Sequence, residues 1–384
     1  MNFDKLTRYL DTLEPVHGIP GFDIRIMQNH RELYRHTAGF SDYEMHVPMN
    51  GTELYDIYSA TKVITMTAVM QLIEKGLLSL EDNIEKYFPE FAASVVLDDY
   101  TLYKDPIPHS AEGRKCHVHR EPITIRRLMS MTAGLSYDME NPYFASVNGT
   151  DADTLTIVRH IAQFPLLYEP GTRYLYSLAH DVLGAVVELV SGERFADYIN
   201  AHILHPLGIY GMTMHPTADE QKRLMAQWCY DETTNKVQPS PTGNKYRVSS
   251  KIDSGGAGMT ASVGDYSIFA DALACGGVGA NGVRILSEES VRKMGEPQLS
   301  PIQVKDFGRD VLGYSYGLGV RTLAFPELSK SPVGEFGWDG AAGAFCLMDL
   351  SNHLSIFYNQ QILSMGKVYF EIHPTIRDLV YECL

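Results

Sequence analysis

The chain reads Tyr58-Ser59-Ala60-Thr61-Lys62 at the start of an apolar stretch that continues to Leu77. This stretch is rich in Met, Leu, Ile, Val and Thr, and it reaches Gly76 where a helix would end. A helix that is apolar on every side has to be surrounded by the rest of the protein. The pattern therefore predicts a central buried helix around which the chain folds.

Ser59 and Lys62 stand three positions apart, which places them one turn apart on the same face of this helix. A serine hydroxyl is a poor nucleophile until a base removes its proton, and a lysine among apolar side chains loses its charge easily enough to be that base. The helix N-terminus adds N–H groups and a positive dipole end, which favour an oxyanion. The pair is therefore a candidate for attack on a carbonyl group.

The spacing alone is weak evidence, because the chain contains a second Ser-x-x-Lys from Ser290 to Lys293. This second copy lies beside Glu288 and Glu289, where a solvated helix face is expected and a desolvated lysine is not. The interpretation of Ser59 therefore depends on the rest of the sequence.

Strand patterns occupy both ends of the chain. Alternating residues over 22–26 and from 33 to 40, with a polar turn between them, predict an antiparallel hairpin. Strand character returns after about residue 310, at 316–320, 344–348 and 353–358, and residues 374–384 are predicted to be a helix. Between the two ends, hydroxyl residues placed to cap helices indicate a mainly helical region; they are Ser79, Ser177 and Ser262.

This order of elements predicts an α/β (α+β) fold with one antiparallel sheet flanked by helices. Residues 1–85 and 300–384 are expected to form the sheet domain from both ends of the chain. Residues 86–299 are expected to form an inserted, mostly helical domain. The active site should then lie in the cleft between the two domains.

The stretch from Ser59 to Phe91 closely resembles serine β-lactamase-like proteins of the penicillin-binding protein and class C β-lactamase superfamily. Further segments resemble the same superfamily in the same order along nearly the whole chain; they are 124–128 with 132–135, 169–171, 174–177, 205–209 and 255–259. The resemblance implies the β-lactamase/transpeptidase-like fold, with Ser59 and Lys62 in the catalytic positions. It also implies a serine hydrolase that acts through an acyl-serine intermediate.

The superfamily's Tyr-x-Asn motif corresponds here to Tyr176-Ser177-Leu178. The resemblance implies that the phenol of Tyr176 lies near Ser59 and moves protons, which is general acid–base work. Leu178 departs from the pattern, because it stands where an asparagine amide usually helps to hold the substrate. A leucine at a substrate-binding position offers only apolar contact.

The third motif departs further, because Trp338-Asp339-Gly340 stands where β-lactamases and peptidases carry a lysine or histidine, then threonine and glycine. The usual cation is absent, and an ionised Asp339 would repel a substrate carboxylate. A tryptophan there resembles family VIII carboxylesterases, in which it lines an apolar pocket. Gly340 permits close backbone approach, and the Ala341 N–H is expected to join the Ser59 N–H as an oxyanion hole.

These departures favour a carboxylesterase acting on small or short-chain esters. A β-lactamase, a D-aminopeptidase or D-Ala carboxypeptidase and an acyltransferase remain open, as does a non-catalytic scaffold or binding protein that retains the fold. A rival nucleophile, Ser315, sits in Gly313-Tyr314-Ser315-Tyr316-Gly317. That pattern requires a strand followed by a helix, whereas a glycine-interrupted strand is predicted here.

No cofactor or metal is predicted. Potential zinc ligands in the polar stretch 98–121 match no standard zinc module, and we interpret the stretch as an exposed loop; they are His109, Cys116, His117 and His119. The glycine-rich run 255–258 lacks the spacing of a phosphate-binding loop and is interpreted as tight backbone near the cleft.

The net charge of −15 argues against nucleic acid as a partner. The first residues, Met1 to Leu6, show neither a signal sequence nor a membrane span, so a cytoplasmic location is expected. The five scattered cysteines suit a reducing compartment and predict no disulfide framework. The expected partner is a small ester substrate, and the sequence leaves the oligomeric state open.

Overall fold

The computed structural model describes residues 1–42, 46–147, 150–240 and 243–384. The strands in chain order are β1 Gly21–Gln28, β2 Arg31–Asp42, β3 Val47–Pro48, β4 Tyr55–Asp56, β5 Val95–Leu97, β6 Cys116–Val118, β7 Trp228–Asp231, β8 Lys236–Pro239, β9 Thr260–Ala261, β10 Tyr314–Tyr316, β11 Arg321–Leu323, β12 Phe336–Asp339, β13 Phe345–Asp349, β14 Leu354–Asn359 and β15 Ile362–Leu363. The α-helices are α1 Asp4–Leu10, α2 Leu13–His17, α3 Thr61–Glu74, α4 Ile125–Met129, α5 Pro142–Val147, α6 Thr154–Ile161, α7 Ala179–Ser191, α8 Phe195–Ile199, α9 Ala218–Gln221, α10 Val263–Ala274, α11 Glu288–Gly295, α12 Pro301–Phe307 and α13 His373–Cys383.

A large antiparallel sheet has the strand order β10-β11-β12-β13-β14-β1-β2-β3. Its strands come from the two ends of the chain, as predicted. The strand predicted at 316–320 is wrong, because residues 317–320 form the glycine-containing turn between β10 and β11. The predicted hairpin is β1 and β2, and its tight turn holds Asn29 and His30 at positive φ, 50° and 64°. Two consecutive residues at positive φ match the twist of the flanking strands. The predicted fold class, with an antiparallel sheet, flanking helices and helices between its two halves, is confirmed.

Helices cover both faces of the sheet. On β14, Ile356 and Tyr358 join an apolar cluster with residues of α1 and α13, such as Ile376. Phe357 points to the opposite face, where its ring stacks on that of Tyr266 in α10 with centroids 4.0 Å apart. The alternation follows from the two-residue period of a strand. The helix α10 lies within the segment 86–299, for which a separate helical domain was predicted, yet it packs on the sheet.

The predicted central helix is α3, and every residue from Thr61 to Leu72 is buried. It packs against α7 on one side and contacts the end of β12 on another. Its one buried amide, Gln71, donates to the carbonyl groups of His202 and Ile285 at 3.0 and 2.9 Å. Rotation of the helix about its axis would break these two hydrogen bonds, so the buried amide helps to fix the orientation of α3.

Two of the three predicted helix caps are wrong. Ser262 caps α10 as expected, since its hydroxyl accepts from the Asp265 N–H at 3.0 Å. Ser79 instead lies in a turn that is not followed by an α-helix, and Leu178 rather than Ser177 holds the cap position of α7. Hydroxyl residues also favour turns, and this preference decides the structure at Ser79.

Candidate active site

Ser59 lies in a single tight turn, Tyr58–Ala60, that leads directly into α3. Tyr58 holds a φ of 44°, a left-handed conformation that is rare and strained for a bulky residue. The turn places Ser59 at the surface of a cavity of about 360 Å³. The side chain itself is mostly enclosed, with the residue 8% exposed.

Lys62 is fully buried directly below Ser59. Its Nζ donates to the Ser59 Oγ at 3.3 Å and to the Gly256 carbonyl at 2.7 Å, and it lies 4.6 Å from the ring centre of Tyr176. Burial disfavours the charged form of an amine and lowers the pKa of Lys62 to about 7. A substantial fraction of neutral amine therefore stands beside the serine hydroxyl near neutral pH.

Asp181, on α7, is a buried carboxylate in this environment that sequence reasoning missed. Its Oδ1 accepts from the Ser254 hydroxyl at 2.6 Å and from the Gly256 N–H at 3.2 Å. The Gly256 residue thus lies between Asp181 and Lys62, and the negative charge of Asp181 raises the pKa of Lys62 against the effect of burial. The one sequence feature that could have indicated Asp181 is its position, five residues after Tyr176 and in the first turn of α7.

The glycine run 255–258 is tight backbone, as predicted, because it is pressed against α7. A Cβ on Gly255 would lie 2.4 Å from the His180 carbonyl oxygen, and one on Gly256 would lie 2.6 Å from Asp181 Oδ2. Only glycine lets the backbone come close enough for the Gly256 carbonyl to reach Lys62.

Replacing Gly255 with alanine is expected to lower the free energy of unfolding by about 1–3 kcal/mol, because the contact is with backbone that cannot move aside. Gly366→Ala is the matched control, since a Cβ there meets nothing within 4 Å. That control should change stability by less than about 1 kcal/mol. Urea unfolding midpoints would test both, and equal stabilities of the two variants would contradict the packing described.

Tyr176 lies above Lys62 and faces the same cavity as Ser59. The indole N–H of Trp338 donates to its hydroxyl at 3.2 Å, and the two rings stack with centroids 5.6 Å apart. Burial raises its pKa, and hydrogen bonding to Ser59 and Trp338 offsets only part of that rise. The phenol is therefore protonated near neutral pH and is suited to donate a proton.

Leu178 is not brought to this cavity. It is 2% exposed within the main apolar core, and its N–H donates to the Ser136 carbonyl at 3.1 Å. It lines a different, small cavity together with Asp181. The residue at the position of the motif's asparagine therefore packs in the core and contributes no side chain to the cavity.

Trp338, Asp339, Gly340 and Ala341 all line the cavity of Ser59. The closeness of this strand end explains Gly340, where a Cβ would lie 2.2 Å from the Ile57 carbonyl oxygen. The hydroxyl of Tyr369 lies 3.0 Å from the Gly340 carbonyl and 2.9 Å from that of Ala341. The backbone beyond β12 is thus held in place beside Ser59, and the role of the Ala341 N–H in an oxyanion hole stays a prediction.

The structure places two guanidinium groups beside Asp339, which no motif indicated. Its carboxylate accepts from Arg321 at 3.0 Å and also from Arg309, and these guanidinium groups hold its pKa far below the usual range in spite of its burial. The side chain is therefore ionised, and its negative charge is balanced by these two cations. The lysine or histidine of the motif is absent, but Arg309, from another segment, supplies a cation to this wall.

Aromatic side chains form most of the remaining wall; they are Tyr103, Tyr174, Phe307 and Tyr369. Tyr103 comes from the polar stretch 98–121, and its hydroxyl reaches the carbonyl oxygens of Tyr174 and Asp306 at 3.2 and 3.0 Å. The stretch interpreted as an exposed loop therefore also closes one side of the cavity. No motif pattern marked this role.

The rival nucleophile lacks the required setting. Ser315 lies in β10, which forms a hairpin with β11 instead of leading into a helix. Its Oγ is buried and has no hydrogen-bond partner in the described part of the chain. No base is therefore placed to activate it.

Two histidines of the polar stretch are hydrogen-bonded to separate acidic side chains. His109 bonds to Asp138 at 2.9 Å, while His117 bonds to Asp98 at 2.7 Å and to Glu169 at 3.1 Å. Cys116 is exposed in β6. Across the described ranges, no helix combines the length and apolar character needed to cross a membrane.

The antiparallel sheet and the serine at the start of a buried helix define a β-lactamase-fold serine hydrolase. Residues 5–368 match the Beta-lactamase family, and the chain belongs to that family. Protein Rv1367c of Mycobacterium tuberculosis is 29% identical over 347 residues, which cover 87% of this chain and 83% of that protein. Esterase EstB of Burkholderia gladioli is 32% identical over 197 residues, 48% of this chain and 45% of EstB.

Among solved structures, EstCE1 has a TM-score of 0.80 and 24% sequence identity, with 99% of this chain and 98% of EstCE1 covered. It is described as a hydrolase with promiscuous acyltransferase activity. At that identity the likeness supports the shared fold.

Proposed function

We propose that this protein is a carboxylesterase that hydrolyses small or short-chain esters through an acyl-enzyme on Ser59. The observation that carries the proposal is the buried Lys62 amine, with its pKa near 7, at 3.3 Å from the Ser59 Oγ. A nucleophile within reach of a matched base, beside an open cavity, is the arrangement that acyl transfer requires.

In the first step, neutral Lys62 takes the Ser59 proton while Oγ attacks the ester carbonyl. The N–H groups of Ser59 and Ala341 would stabilise the oxyanion. Tyr176, kept protonated by its burial, donates a proton to the departing alkoxide and recovers one through Lys62. Water then attacks the acyl-serine by the same route in reverse, and the acid is released.

Trp338 favours an ester over a β-lactam. Its ring stacks on Tyr176 and forms an apolar wall where β-lactam-recognising relatives carry a lysine or histidine. The match to an esterase, EstB, over about half of the chain supports the same choice.

Comparison of kcat/KM for 4-nitrophenyl acetate and butyrate with kcat/KM for a chromogenic cephalosporin tests this choice. We expect the esters to be turned over far faster. A cephalosporin preferred by orders of magnitude would overturn the pocket argument, and turnover of neither substrate would indicate a protein that retains the fold without the chemistry.

The pH dependence follows from Lys62. Because the amine must be neutral to accept a proton, kcat/KM should rise with pH through about 7 and level off above it. The negative charge of Asp181 favours the protonated amine, so Asp181→Asn should lower the pKa of Lys62 and move this rise to lower pH. Profiles of kcat/KM against pH for the unmodified protein and for Asp181→Asn would measure this change. A shift of the rise to higher pH in the variant would contradict the effect of Asp181 on Lys62.

Acyl transfer to an alcohol is the second candidate, because an acyl group on Ser59 would lie at a cavity of about 360 Å³ that can admit an alcohol. An acyl-serine can be captured by any nucleophile that fits the cavity, so added alcohol should compete with water. The ratio of transfer product to free acid at increasing alcohol concentration measures this partition.

A further inference from the structure

The cavity that contains Ser59 also contains one guanidinium group, that of Arg309. The Arg309 side chain is 17% exposed and enters the cavity from the segment that follows α12. Its Cζ lies between three rings, at 5.3 Å from the centre of Trp338, 5.5 Å from Tyr369 and 5.9 Å from Phe307. Packing among these rings fixes the direction in which the group points.

Most donors of this guanidinium are unused. A guanidinium has five N–H groups, and the one hydrogen bond found for Arg309 within the described residues goes to Asp339. That carboxylate is shared with Arg321 at 3.0 Å. Glu335, the other acid beside Arg321, is buried, and burial raises its pKa. Arg309 therefore has no carboxylate of its own and can offer N–H groups to a ligand.

The remaining acid on the cavity wall does not compete for Arg309. Asp306 accepts from Arg173 at 2.7 and 2.5 Å and from the Tyr174 N–H at 3.2 Å. The negative charge of Asp306 is thus balanced by Arg173, which does not line the cavity. The charge on the cavity wall that lacks a full counter-charge is therefore the positive charge of Arg309.

We propose that Arg309 binds a carboxylate on the ester substrate, at a position remote from the bond that Ser59 attacks. A guanidinium matches a carboxylate with two parallel hydrogen bonds, and it does so best in a partly buried site. The rings of the wall suit an apolar or planar body between the carboxylate and the ester. This inference rests on the proposed esterase function and adds the substrate class, namely esters of acidic compounds.

Two matched substrate pairs test the inference. In 4-acetoxybenzoate and 4-acetoxybenzamide the charge is on the alcohol side, whereas in 4-nitrophenyl hydrogen adipate and 4-nitrophenyl hexanoate it is on the acyl side. Each kcat/KM is divided by the rate of alkaline hydrolysis, so that differences in intrinsic reactivity cancel. We expect the anionic member of at least one pair to be preferred about tenfold or more.

In Arg309→Gln that preference should fall towards one, and Arg309→Lys should retain only part of it. The ratio of two rates within one preparation is independent of how much of the variant is folded. Arg292→Gln is the control, because Arg292 pairs with Glu288 on the surface of α11 at 2.9 Å and should leave the ratio unchanged.

A ratio near one for both pairs in the unmodified protein would overturn the inference while leaving the esterase proposal intact. A preference that persists in Arg309→Gln would also overturn it. Failure to hydrolyse any of the four esters would instead remove the esterase proposal and this inference with it.

Discussion

Ester hydrolysis is expected to fall by about 10⁴-fold or more when Ser59 is replaced by alanine, because the described residues that line the cavity include no other serine, threonine or cysteine. The lost hydroxyl is the atom that would form the acyl bond, and Lys62 at 3.3 Å would have no proton to accept. Steady-state kcat/KM for a short-chain ester measures the change.

Ser315→Ala is the matched control for this variant. The Ser315 hydroxyl is buried in β10 without a partner, so its removal leaves no polar group unsatisfied and should keep kcat/KM within about twofold. Activity that survives in Ser59→Ala, or disappears in Ser315→Ala, would refute the assignment of the nucleophile.

Replacement of Lys62 with methionine is expected to lower kcat/KM by about 10³-fold, the range typical of a lost general base. Methionine fills a similar volume, so the fold should be retained. The free energy of unfolding should nevertheless fall, because the Gly256 carbonyl loses its donor and the buried Asp181 loses the nearby cation. The rise of activity through pH 7 should disappear with the amine that causes it. Thermal unfolding and the pH profile of residual activity check these two points.

Lys75→Met provides the control on the same helix. Lys75 lies just beyond the end of α3, with Nζ at 3.4 Å from the Tyr198 hydroxyl, and lines no part of the cavity. This variant should behave like the unmodified protein. If Lys62→Met kept its kcat/KM within tenfold, another group would have to be the base.

The fold was predictable because its signals are local and repeated. Because the apolar stretch after Ser59 has no polar face, the helix that it forms has to be buried. The hairpin alternates with the period of a strand, and its turn tolerates positive φ at Asn29 and His30. Ordered resemblances along the chain then fixed the class of fold.

The candidate site was predictable only in part. Ser59, Lys62 and Tyr176 belong to motifs, and the structure brings them together at one cavity wall or directly beneath it. Leu178 stands in a motif position but is directed into the core. A motif gives the order of residues along the chain, and packing decides which way each side chain points.

The charges were the least predictable feature. The sequence indicated no cationic partner for Asp339, and its two partners come from positions 309 and 321, in segments that carry no motif. Asp181 accepts from the N–H of Gly256 and Lys62 donates to the carbonyl of the same residue, an arrangement that no sequence pattern describes. Such pairings arise from tertiary contact and require coordinates.

Reaction with a fluorophosphonate, followed by mass mapping of the adduct, tests the central claim most directly. The reagent phosphonylates an activated serine and requires no knowledge of the substrate. We predict one adduct, on Ser59, which disappears in Ser59→Ala and forms more slowly in Lys62→Met. No adduct on Ser59, or an adduct on Ser315, would contradict the proposed mechanism.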